Sequence, residues 1–216
     1  MGQTTKSLGQ KDPYDRFYTK KDIALKCIQL INDIERYSTI IEPSAGAGAF
    51  SLQLPKNFAF DLLPNHPSIQ QSDWFDVDLT VYTHPILVIG NPPFGEYNQL
   101  AIKFFNYAAS NADTIAFILP KSFRKPSIIN RLNNQFWLVK EIELPQNSFL
   151  FESQDYDVNC IFQVWEHRLE YRPPQQKKLI SPLFTFTTAD KADLSIRRVG
   201  ANAGKASLRL DYAAAS

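Results

Sequence analysis

Glycine is scarce in this chain, eight in 216 residues, and half of them (Gly46, Gly48, Gly90 and Gly95) fall in two short turns. Glycine placed so unevenly marks backbone that must approach something closely or adopt a conformation closed to other residues. Cysteine is scarcer still. Cys27 and Cys160 are the only two, too few for a disulfide framework, and they sit inside a predicted helix and a predicted strand, where reduced buried thiols are expected. The three histidines, His66, His84 and His167, are far apart and make no zinc spacing with the cysteines. No apolar run approaches the ~18 residues of a membrane span. Met1-Gly2-Gln3-Thr4-Thr5-Lys6 has no signal-peptide core, and Lys6 stands where a myristoylation signal needs Ser or Thr. An intracellular, cytoplasmic protein with no membrane partner is the expectation. An excess of one charge is also lacking. The net charge of +1 means that bulk electrostatics does not announce a nucleic-acid binder.

What is present is ordinary globular material, 44% hydrophobic and 21% charged, in an amount that suits one good-sized domain. Residues 1–15 are polar and are expected to be a flexible N-terminus. Thr19-Lys20-Lys21-Asp22 reads as a helix capping signal, followed by an apolar face at helical spacing: Ile23, Ala24, Cys27, Ile28, Ile31 and Ile34. Short apolar runs typical of strands come next: Thr39–Ile41, Phe58–Phe60, Ile86–Ile89, Ile115–Leu119 and Leu138–Leu144. Helical stretches such as Leu100-Ala101-Phe104-Phe105-Ala108 lie between several of them. This alternation predicts an α/β fold, a parallel sheet with helices on both faces. A last strand, Val158–Trp165, is expected to close the sheet antiparallel. Residues 16–166 are read as the domain and 167–216 as a linker, from Arg172-Pro173-Pro174-Gln175-Gln176-Lys177-Lys178, followed by a short basic extension. That extension holds a candidate strand at Leu183–Thr187 and the glycine-bearing stretch around Arg197-Arg198.

Two turns carry the chemistry. Ile41-Glu42-Pro43-Ser44-Ala45-Gly46-Ala47-Gly48-Ala49-Phe50 reads as a strand, a small-residue turn and then a helix, with Gly46 and Gly48 letting backbone reach a ligand. Ile86–Gly90 reads as a buried strand that ends in Asn91-Pro92-Pro93-Phe94, at the position where a parallel sheet opens its ligand crevice. An amide beside two prolines and an aromatic suits gripping a planar amino group. Asp61 ends the strand Phe58–Asp61; a carboxylate there can accept ribose hydroxyls or cap a helix. Thr114 to Lys140 contains no acid while Lys121, Arg124, Lys125, Arg131 and Lys140 fall inside, a solvated positive face unless a crevice adjoins it.

Asn91-Pro92-Pro93-Phe94 after a strand resembles motif IV of the amino-methyltransferases that use S-adenosylmethionine (SAM). Glu-Pro-Ser-Ala-Gly-x-Gly-x-Phe from Glu42 to Phe50 resembles motif I of the adenine-N6 DNA methyltransferases. The resemblance covers roughly residues 16–166. It implies a Rossmann-like SAM methyltransferase fold, a mostly parallel seven-stranded sheet with a C-terminal antiparallel hairpin. It implies SAM as cofactor, held by Glu42, Pro43, Ser44, Ala45, Gly46, Asp61 and Leu62. Asp73 would take the adenine amino group and Trp74 or Phe75 would cover the ring. Phe17-Tyr18-Thr19 resembles motif X, with Tyr18 and Thr19 at the methionine end of the cofactor, and its position ahead of motif I matches the gamma-class order.

Motif IV implies that Asn91, beside the cofactor, and Pro92 accept the two hydrogens of an adenine N6 amine, with Pro93 fixing the turn and Phe94 stacking on the base. Phe151, then Phe149 or Tyr156, is the candidate second wall of the base slot, and Lys121, Arg124 and Lys125 then border the substrate. The target base of a duplex would have to be flipped out. The expected activity is N6-methylation of adenine in nucleic acid, DNA ahead of RNA by a small margin, with a protein partner supplying target recognition as one way to explain the lack of a recognition domain. RNA adenine, a protein glutamine amide, and an inactive binding subunit of the same fold stand as alternatives.

Overall fold

The computed structural model describes residues 17–151, 154–176, 185, 187–197 and 203–208. Seven strands form the main sheet: β1 (Thr39–Glu42), β2 (Asn57–Asp61), β3 (Gln70–Gln71), β4 (Ile86–Gly90), β5 (Thr114–Pro120), β6 (Phe136–Glu143) and β7 (Cys160–His167). Their order is β3-β2-β1-β4-β5-β7-β6. All neighbours run parallel except β7, which is antiparallel to both β5 and β6. The chain order reverses between β1 and β4, so the crevice of this sheet opens at the carboxyl ends of those two strands.

The central strands are buried on both faces, which is why they read as unbroken apolar runs. In β5, Ile115, Phe117 and Leu119 belong to one core cluster while Ala116 and Ile118 belong to the other, as the two-residue period of a strand requires. Helix α1 (Lys21–Gln29) covers the second face with Ile23, Ala24, Cys27 and Ile28. Helix α2 (Gln99–Ala108) covers the first with Ala101, Ile102, Phe104, Phe105 and Ala108. Each fully buried aromatic such as Phe105 or Phe117 contributes about 1.5–3 kcal/mol of burial.

The strands expected within residues 16–166 are all present, and the predicted closing strand is antiparallel. Three local readings change. Lys20, not Thr19, stands at the N-cap position of α1, and its side chain makes no cap hydrogen bond; Thr19 instead pairs with Phe149 in a small antiparallel sheet of Tyr18–Thr19, Phe149–Phe151 and Gln154–Tyr156. The helix expected after Gly48 is only a turn and a 3-10 segment, Ser51–Gln53. Pro55 lies two residues beyond and β2 starts at Asn57, which leaves no length for an α-helix. The strand β3, two polar residues at the sheet edge, has no apolar signal from which to be predicted.

The first compact unit extends to Gln175. Arg172 belongs to it: its guanidinium donates to the carbonyls of Phe136 and Ile129 at 3.1 and 3.0 Å and stands over the Trp165 ring. The second unit begins at Gln176. Its described residues include a two-stranded ribbon in which Ser195–Ile196 pairs with Ala206–Ser207. Residues 1–15, Glu152, Lys177, Lys178, Arg198 and most of the candidate strand Leu183–Thr187 lie outside the described residues.

Candidate active site

The carboxyl ends of β1, β2 and β4 and the loops that leave them enclose a cavity of about 330 Å³, within the range of small-molecule sites. Every residue expected to hold the cofactor lines it: Tyr18, Thr19, Glu42, Pro43, Ser44, Ala45, Gly46, Asp61, Leu62, Asp73, Trp74, Phe75 and Asn91. Among the described residues, its titratable lining groups are three carboxyls and Tyr18, with no Lys, Arg or His. Such a wall suits a ligand that brings positive charge and hydroxyl or amino donors. A pyrophosphate would be repelled.

The small-residue turn builds the floor. Gly46 has φ +51°, and a Cβ there would lie 2.9 Å from the Tyr18 ring. The Asp61 carboxylate closes the turn by accepting N–H bonds from Gly46 and Leu63, at 2.7 and 2.8 Å on its two oxygens. Each of those oxygens keeps a second lone pair, so a ligand diol would share Asp61 with the backbone. Tyr18 is fixed by the Asn65 amide, which donates to its hydroxyl at 2.6 Å.

Glu42 is 2% exposed and accepts the Ser51 N–H at 2.8 Å. Burial pushes its carboxyl up to about 8, against the lowering effect of that hydrogen bond. A buried acid with a raised pKa in a cleft is a functional-site signature, and a cation beside it would restore its charge. Gly90 makes room for it, since a Cβ there would come 3.3 Å from the Glu42 Cγ.

Asp73 uses one carboxylate oxygen to accept the Phe75 N–H at 3.0 Å. Of the two aromatics after it, Trp74 is 1% exposed and belongs to the core, whereas Phe75 is 36% exposed and rests edge-on against Phe104 and Tyr107. Phe75 is thus the more exposed of the two rings that line the cavity.

Asn91 joins the two halves of the site. Its Nδ2 donates to the Phe17 carbonyl at 3.2 Å, and its own carbonyl accepts the Ser44 hydroxyl at 3.0 Å. Its Oδ1 is buried with no donor, as is the Thr19 hydroxyl oxygen. Buried polar atoms without partners are uncommon; here two occur in the wall of one cavity. Pro93 lines that cavity. Pro92 is buried, and Phe94 packs against both core clusters.

Beside Asn91, the Phe17 ring stacks on Tyr156 at 4.7 Å and touches Phe151 at 5.8 Å. Phe151 and Tyr156 therefore stand on the Asn91 side of the site. Phe149 does not, being 1% exposed within the core. The expected cations are less available than the sequence suggested. Lys121 pairs with Glu143 at 2.8 Å, and Arg124 pairs with Glu141 and Glu143 at 2.7 Å each. The acids come from β6, beyond the acid-free stretch, and only the sheet order brings them there. Lys125 is exposed and has no ion pair among the described residues. Phe17 and Phe104 were missed as site residues. The one signal for Phe104 was its place on the apolar face of the helix after the Asn91 turn.

No family model matches the sequence, and no curated protein does. Among solved structures, a candidate RNA methyltransferase from Pyrococcus horikoshii aligns with a TM-score of 0.51 at 16% identity, over 75% of this chain and 93% of that one. The 23S ribosomal RNA methyltransferase ErmE aligns with a TM-score of 0.47 at 12% identity, over 74% and 72%. A magnesium protoporphyrin IX methyltransferase from Synechocystis, solved with bound SAM, aligns with a TM-score of 0.46 at 12% identity, over 68% and 77%. At these identities the likeness is one of fold: the chain has a Rossmann-like α/β methyltransferase fold.

Proposed function

We propose that the chain methylates the exocyclic N6 of adenine in nucleic acid with SAM as methyl donor. The observation that carries this is the buried Asn91 Oδ1, an acceptor without a donor among the described residues, in the wall of a cavity whose described charged groups are Glu42, Asp61 and Asp73. When bound there, SAM would supply an electrophilic methyl group on a sulfonium centre. Glu42 would balance the cofactor's positive charge, Thr19 would offer its hydroxyl to the methionine end, Asp61 would take the ribose and Phe75 would cover the adenine.

An adenine N6 amine is a poor nucleophile because its lone pair is spread into the ring. The Asn91 Oδ1 and the Pro92 carbonyl would accept its two hydrogens, which draws density onto nitrogen. Those bonds strengthen as the amine becomes cationic, so they lower the barrier rather than merely binding the base. The cofactor would supply the methyl group for the new N–C bond and would keep the departing electron pair on its sulfur. The amine then loses a proton to solvent, so no general base is required before transfer. Alignment of amine and methyl group supplies much of the remaining gain.

DNA is slightly favoured as substrate by the order of Phe17-Tyr18-Thr19 ahead of the Glu42–Phe50 turn, the order of the DNA enzymes that the sequence resembles. RNA is the second reading, favoured by the fold shared with the candidate RNA methyltransferase of Pyrococcus horikoshii. Incubation with isotopically labelled SAM and separate samples of duplex DNA, single-stranded DNA, ribosomal RNA and a glutamine-bearing release factor, read by mass spectrometry, tests both. N6-methyladenine in a nucleic acid is the expected product. Label in the protein amide, or in none of the four, would contradict the proposal.

A further inference from the structure

The four residues that follow Phe94, Gly95 to Asn98, join the Asn91 turn to α2. Three of them have positive φ: Gly95 at 67°, Tyr97 at 50° and Asn98 at 63°. Glycine adopts such angles freely, but a tyrosine there is strained. The strain is not relieved by packing, because Tyr97 is 82% exposed.

The loop is held in this shape from several sides. Asn98 N–H donates to Gly95 O at 3.4 Å and Ala101 N–H to Phe94 O at 3.3 Å. The Asn98 amide donates to the Ser122 hydroxyl at 2.8 Å. A Cβ on Gly95 would come 2.8 Å from Leu100 Cβ, so the turn is also sterically fixed. A restrained backbone thus presents an aromatic ring to solvent at the carboxyl end of β4. Ser122 ties it to the segment of Lys121, Arg124 and Lys125 at the carboxyl end of the adjacent β5.

An exposed aromatic on a loop tied to a segment with an available cation, here Lys125, is the pairing by which proteins hold unpaired bases: the ring takes a base face and the cation takes a backbone phosphate. Inside a duplex both faces of a base are already covered by its neighbours. We propose that Tyr97 is a stacking platform for an unpaired nucleobase next to the one gripped at Asn91, and that the substrate is therefore single-stranded or looped nucleic acid rather than a closed duplex. This rests on the nucleic-acid reading given above.

The test is the affinity of the full chain for adenine-containing oligonucleotides, as single-stranded RNA, single-stranded DNA and duplex DNA, measured by fluorescence anisotropy with 2-aminopurine beside the target adenine. Wild type, Tyr97→Ala and Tyr97→Phe are compared, with SAM affinity as the control for an intact cavity. Single strands are expected to bind better than duplex. Tyr97→Ala is expected to weaken single-strand binding about tenfold, the scale of one lost base–aromatic stack, and to abolish quenching of the 2-aminopurine. Tyr97→Phe should keep both, and SAM affinity should not move. A Tyr97→Ala protein that binds single strands as wild type does, or a Tyr97→Phe protein that loses as much as Tyr97→Ala, overturns the platform alone. Preference of the wild type for duplex likewise overturns it. If the wild type binds no oligonucleotide while still binding SAM, the nucleic-acid reading falls with it.

Discussion

Asn91 and Phe17 are 74 residues apart and are joined by a hydrogen bond of 3.2 Å from the amide nitrogen to the main-chain carbonyl. That bond fixes which end of the amide is the donor, and so leaves Oδ1 as the acceptor without a partner. It also ties the segment ahead of α1 to the carboxyl end of β4. The proposed cofactor site and the proposed transfer site therefore share one side chain.

Glu42 makes the apo protein sensitive to pH. Its carboxyl titrates near 4.5 when unfolded and at about 8 when buried in the fold. Between those values the folded state holds the proton and the unfolded state does not. Its contribution to stability is therefore complete below pH 4.5, falls as pH rises through the window to about 8, and is level above it. Glu42→Gln should flatten thermal stability across this window while weakening SAM binding at least about tenfold. Wild-type SAM binding at pH 7 should release close to one proton, read by calorimetry in buffers of different ionisation enthalpy. Binding without proton release would place the cofactor's charge elsewhere.

Gly46→Ala confronts both a left-handed backbone and the Tyr18 ring at 2.9 Å. We expect a loss of roughly 1 kcal/mol or more of stability from the backbone alone. We also expect a larger rise in the Kd for SAM, because Tyr18 and the turn move together. Equal stability and equal SAM affinity in the variant would show that the turn does not depend on this contact.

Much of this site was legible in the sequence because its parts are local. Gly46 and Gly48 in one turn and Asn91 to Phe94 in another each sit directly after an apolar strand, and strand order carries them to one crevice. The helical face from Ile23 to Ile28 and the alternation within β5 were equally readable. What was not legible depends on distant partners. Glu141 and Glu143 reach Lys121 and Arg124 only because β6 lies at the sheet edge beyond β7. Thr19 looked like a cap because local sequence cannot reveal its pairing with Phe149.

Those ion pairs set an order among the cations. The Lys121 and Arg124 contacts hold the Glu143 carboxylate down at about 2, so it stays charged throughout the physiological range. Glu143→Gln should raise nucleic-acid affinity and steepen its salt dependence by freeing Lys121, while Arg124 keeps its pair with Glu141. Lys125→Ala should lower the slope of log K against log salt by about 1 if Lys125 meets a phosphate, and Lys121→Ala by less. Binding titrations from low to high salt give these slopes; an equal effect of the two lysine variants would mean that the Lys121 pair does not persist on binding.

The most direct test of the account is the single-turnover rate of Asn91→Ala measured beside its Kd for SAM, on whichever nucleic acid the wild type methylates. Loss of one transition-state acceptor should slow transfer by about 10²–10³-fold at saturating SAM, beyond any loss of SAM affinity that follows from Asn91 lining the same cavity. A variant that transfers methyl groups at the wild-type rate once SAM is saturating would contradict the role given to Asn91.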